Sequence, residues 1–133
     1  MKYTIQIWLF TIMASPLLIA LILGIIINKS GFNEILDSYQ IIFLMILFGL
    51  FLSIPAMVFF WYILRNLDSN IPIWKKKIIL TVYSFLSVWI TFYIFDNGFV
   101  IRWSDQTIWV LIYSLTISIG VWIFKFPRRK IIK

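Results

Sequence analysis

The side chains that could act chemically in this 133-residue chain are few, and its carboxylates fall in short polar stretches. Glu34 and Asp37 stand in one, Asp96 and Asp105 in another. Paired carboxylates can move protons or hold a divalent metal. Neither pair comes with a Gly-rich phosphate loop, an adjacent nucleophile or a metal-ligand spacing that would make the chemistry specific. A solvated face with an Asp–Arg contact explains them as well. Cys and His are both absent, which removes thiolate nucleophiles, imidazole bases, disulfides and most zinc, haem and iron–sulfur ligation. The sequence therefore predicts no catalytic residues, no cofactor and no bound metal.

Hydroxyls form the other chemical group. Thr81, Ser84, Ser87 and Thr91 recur at helical spacing and fall within about a third of a helix circumference. Thr107, Ser114 and Ser118 share a second face, and Thr4, Thr11 and Ser15 a third. Such faces could line a path for water, an ion or a small polar solute. They could equally be contact faces, where small residues let helices approach and hydroxyls bond across the interface. The contact reading is preferred, because Ser and Thr are ordinary residues of membrane-helix interfaces. Gly49, Ser53 and Ala56 make a small-residue stripe of the same contact type, and Ala20 with Gly24 a shorter one. Trp89 needs a partner for its indole N–H, and a hydroxyl of these faces is the expected one.

The elements that must position these groups are membrane spans. Hydrophobic residues make up 62% of the chain and charged ones 13%, far from the ~25% charge of a soluble domain. Four apolar runs, 5–27, 41–64, 78–95 and 108–124, measure roughly 25 to 36 Å as helices, bracketing the ~30 Å hydrocarbon core. The first is too long for the ~7–15 apolar residues of a signal sequence and is read as a retained span. Pro16 and Pro55 should bend the first two helices. Asn28-Lys29-Ser30-Gly31 reads as a helix stop with Gly31 as the cap. Asn97-Gly98 signals a turn in a short, irregular or hairpin-like loop at the interface. Between their flanks the four spans contain no Asp, Glu, Lys, Arg or His, which argues against ion- or proton-coupled transport.

Charge placement sets the orientation. With the amino terminus inside, ten of the twelve Lys and Arg face the cytoplasm, leaving Lys29 and Arg102 outside. Asp68 is the single inner acid, so the inner net is +9 and the outer −2, which together give the chain's +7. That asymmetry satisfies the positive-inside rule. The inner charges concentrate in the connector 65–77, with Lys75, Lys76 and Lys77, and in the tail, with Arg128, Arg129 and Lys130. These surfaces could attract anionic headgroups at about 1 kcal/mol per charge. Their preferred reading is as topology determinants, with Ile71, Ile73 and Trp74 holding the connector flat on the inner leaflet.

The sequence thus predicts one all-α domain: an integral membrane four-helix bundle of two transmembrane hairpins, with both termini cytoplasmic. The Ile-, Phe- and Lys-rich usage fits an AT-rich bacterial genome, hence a multi-pass protein of the bacterial inner membrane. Its expected partners are the lipid bilayer and either further copies of itself or another membrane protein, not nucleic acid. The expected role is non-catalytic, as an accessory or immunity subunit or a small membrane-perturbing effector. The alternative is a passive channel or permease.

Overall fold

The computed structural model describes residues 1–27, 29, 31–103 and 105–127. Their regular structure is all helical. Helix α1 (Lys2–Leu21) continues as a π-helical turn over Ile22–Ile27, and a short α2 (Phe32–Asp37) leads into α3 (Tyr39–Asn66). Then come α4 (Ile73–Phe95), a one-turn α5 (Gly98–Ile101) and α6 (Asp105–Ile123). Four helical stretches of 25, 28, 23 and 18 residues are long and apolar enough to cross a membrane. At 1.5 Å per residue they reach roughly 27 to 42 Å.

The long helices run up, down, up and down, and each packs against two neighbours, in the order α1, α3, α4, α6 and back to α1. All four neighbouring pairs are therefore antiparallel, as short connections require. The start of α1, the end of α6 and the connector lie at one end. There the Tyr3 hydroxyl donates to the Val121 carbonyl at 2.8 Å, and Tyr3, Ile7, Phe60, Leu80 and Val121 form the main buried cluster. Helices α1 and α6 hold most of the core, whereas Phe60 is the one buried residue of α3. At the seam of α1 with α6 a Cβ on Gly120 would stand 3.3 Å from the Phe10 ring and 3.4 Å from Ile7.

Several boundaries depart from expectation. Helix α4 starts at Ile73 rather than 78, so Lys75, Lys76 and Lys77 belong to its opening turns and the connector shrinks to 67–72. Pro72 sets that start, being extended (φ −62°, ψ 148°) and lacking the N–H that a helix start would leave unbonded. Gly31 does not cap α1. It is extended (φ −68°, ψ 156°) and opens α2, while the left-handed residue is Lys29 (φ 53°). Asn28 and Ser30, the other parts of the expected stop, lie outside the described residues, as does Ser104.

The loop after α4 is helical rather than hairpin-like. The Asp96 carboxylate accepts the Gly98 N–H at 2.8 Å, which starts a right-handed turn and leaves Gly98 without the positive φ of an Asn-Gly hairpin. Helices α1 and α3 continue through Pro16 and Pro55.

Candidate functional site

Most hydroxyls of the four long helices are turned onto their own carbonyls. Thr11 donates to Ile7 O, Thr81 to Lys77 O, Thr91 to Ser87 O, Ser114 to Val110 O, Thr116 to Ile112 O and Ser118 to Ser114 O, all at 2.7–2.8 Å and all four residues back. Ser53 does the same to Gly49 O. This is how Ser and Thr settle in an apolar helix: the fourth carbonyl back is the nearest acceptor, and bonding to it leaves carbon facing outward. Thr107 donates to Arg102 O at 3.0 Å.

Three hydroxyls differ. Thr4, Ser15 and Ser84 are buried, and their oxygens have no hydrogen-bond partner. The indole N–H of Trp89 is also buried and unbonded, contrary to the expectation of a hydroxyl partner. Its ring stacks on Phe85, one turn earlier, at 5.9 Å and 25°.

Bonds between helices come instead from aromatic side chains. The Trp8 indole on α1 donates to Ser53 Oγ on α3 at 2.6 Å, and the Tyr83 hydroxyl on α4 donates to Ala56 O on α3 at 3.1 Å. Trp122 on α6 donates to Thr81 Oγ1 on α4 at 3.2 Å. The stripe Gly49, Ser53 and Ala56 therefore faces into the bundle, with Gly49 close to Tyr113 Oη and Ile12. These tethers were missed at the sequence level. A helical row through Thr4, Ile7, Trp8 and Thr11 would have pointed to Trp8 as inward-facing.

Inside this framework lies a cavity of about 290 Å³ between all four long helices. The stripe Gly49, Ser53 and Ala56 lines it, as do Ser84, Ser87 and Thr91. Thr81, Ser114 and Ser118 do not, so the structure divides the sequence-predicted hydroxyls between a cavity wall and helix contacts. The buried cluster around Leu80 and Val121 packs the connector end, and the cavity runs from Tyr83 and Phe60 toward Phe95 and Ile41.

Beside the buried cluster the basic residues are not equivalent. Lys77 Nζ donates to Trp122 O at 2.9 Å and Phe124 O at 3.4 Å and lies 5.6 Å from the Trp122 ring centre. It thereby caps the carboxyl end of α6, where the helix dipole favours a cation. Lys76 is buried to 9% exposure, with its ammonium 5.9 Å from the Phe126 ring, and only Lys75 of the three is exposed. Arg128, Arg129 and Lys130 lie outside the described residues.

At the other end Glu34, Asp37 and Asp96 are exposed, and among the described residues no three His, Cys, Asp or Glu come together as metal ligands would. The chain matches no family model, no curated protein and no solved structure. Its function is therefore argued from the geometry alone.

Proposed function

We propose that this chain is a non-catalytic, four-span protein of a bacterial inner membrane, connector and termini cytoplasmic, that works through helix contacts with a membrane partner or further copies of itself. One observation carries the reading. Phe60 is the single buried residue of α3, and the rest of that 28-residue helix presents large apolar side chains such as Phe43, Phe51 and Phe59 to its surroundings. With most hydroxyls closed onto their own carbonyls and Thr4, Ser15 and Ser84 buried, little polar chemistry faces outward, and contact is what remains to the protein.

The absence of native cysteine makes the test direct. Phe51→Cys and Phe59→Cys on α3, and Leu86→Cys on α4, are oxidised in native membranes. Disulfide-linked species at the α3 positions and not at Leu86 support the proposal; none at any position removes self-association through α3. A reporter placed at 68–70 should stay inside the cell, and its appearance outside overturns the orientation.

A passive path for a small solute is the second reading, because Ser84, Ser87 and Thr91 line the cavity. Expression in cells loaded with a potential-sensitive dye tests it. Depolarisation lost on changing Thr81, Ser84, Ser87 and Thr91 to Ala, with assembly intact, supports a path. The absence of depolarisation counts against both a channel and a membrane-perturbing effector.

A further inference from the structure

The cavity is built unlike a polar path. No lining residue carries a formal charge, and the Thr11, Ser53 and Thr91 hydroxyls in its wall are bonded to carbonyls of their own helices, while the unbonded Thr4 and Ser84 oxygens are themselves buried by neighbouring atoms. What the wall presents is carbon, which suits a neutral hydrocarbon and no ion, headgroup or water column. The cavity also has a side opening. Helices α3 and α4 meet near the connector, where Tyr83 donates to Ala56 O and its ring lies 6.3 Å from Phe60. Farther out on the same row of α3, Leu52, Phe48 and Leu44 line the cavity and yet are 40%, 58% and 51% exposed, as is Phe95 on α4 at 57%. Their exposure marks a slot between α3 and α4, continuous with the exposed apolar surface of α3.

The dimensions fit one kind of occupant. From Tyr83 to Phe95 the α4 wall rises roughly 18 Å at 1.5 Å per residue. Half of a ~30 Å hydrocarbon core, the depth reached by one leaflet's chains, is about 15 Å. Packing at the connector end by Leu80 and Val121, both 0% exposed, gives the slot a floor.

We propose that the slot between α3 and α4 takes up a single phospholipid acyl chain from the leaflet opposite the connector, the chain filling the cavity as a component of the bundle. The inference rests on the membrane reading above, and its test separates the two. The full chain is reconstituted in phosphatidylcholine vesicles containing a minor share of phosphatidylcholine with a diazirine midway along one acyl chain. After illumination the labelled residues are located by peptide mass spectrometry. Adducts are expected on outward Phe51 and Leu86 and also on Met45 and Val88 of the cavity wall. Filling the slot with Ser87→Leu should abolish the inward adducts while Phe51 stays labelled, which also shows that the variant is still inserted. Outward adducts without inward ones overturn the acyl-chain site, as do inward adducts that survive Ser87→Leu. No adducts at either set means that the chain is not in the bilayer, and then both readings fall.

Discussion

Lys77 shows how one side chain takes its role from a neighbouring helix. On its own helix it sits near the amino end, where the dipole disfavours a cation by typically 0.3–1 kcal/mol. Across the antiparallel interface it meets the last carbonyls of α6, where the same dipole argument reverses sign. Hydrogen bonds from a charged donor contribute roughly 1.5–3 kcal/mol, and partial exposure lowers that. Lys77→Met should therefore destabilise the bundle by about 1–2 kcal/mol, measured by denaturant titration in detergent. Lys75→Met, which removes an exposed ammonium 5.4 Å from the Trp74 ring, should produce a clearly smaller shift. Equal losses from the two variants would mean that net basic charge, and not the cap, is what matters at this end. The sequence shows three consecutive lysines of equal standing. Their difference lies in which way each points from α4, and that depends on where α6 ends.

Between helices, the glycines predict opposite outcomes for similar substitutions. Gly120 lies where α6 meets α1, and an added Cβ would already be tight against Phe10 and Ile7. Gly120→Leu should cost about 1–3 kcal/mol through overpacking. Gly49 has more room, since its Cβ would meet Tyr113 Oη at 3.6 Å and Ile12 at 3.9 Å, which is ordinary contact distance. Gly49→Ala should be neutral, or stabilising by up to ~1 kcal/mol through helix propensity. Thermal melts of both variants in one detergent check the contrast, and comparable losses would contradict the difference in room at the two glycines.

The small-residue stripe was legible in the sequence, but the tighter glycine was not, because nothing in the neighbours of Gly120 singles it out. Span positions were legible to within a few residues, since hydropathy tracks burial in an apolar phase. The start of α4 was not, because lysines end a hydropathic run without ending a helix: their stems stay apolar while the ammonium reaches for the surface. Hydroxyl direction was likewise hidden, for spacing fixes the face a residue is on but not the acceptor its oxygen chooses.

For the whole molecule, the question is what joins the two hairpins. Six residues, 67–72, link them covalently, yet α1 packs against α6 more extensively than α3 does against α4. The ties across the hairpins include Tyr3 to Val121 O, the Phe10–Phe124 ring pair at 5.8 Å and the glycine contact at Gly120. All of these belong to α1 and to α6 or the residue that follows it, far from the connector in sequence but at its end of the bundle or close to it. The Asp68 carboxylate accepts from the Asn70 N–H at 3.1 Å and from the Ser69 hydroxyl at 3.4 Å, bonds that close its own turn. Apart from Leu67, which packs against the buried cluster, the connector therefore contributes little to assembly. If so, the chain can be cut there. Residues 1–69 and 70–133, expressed as separate polypeptides, should each insert as a hairpin and co-purify in mild detergent at near one-to-one ratio. Gly120→Leu in the second fragment should abolish co-purification, whereas Ala56→Leu in the first, at the sparser seam, should leave most of it. Fragments that insert but do not associate would show that the connector holds the bundle together; association that survives Gly120→Leu would move the dominant interface away from α1 and α6.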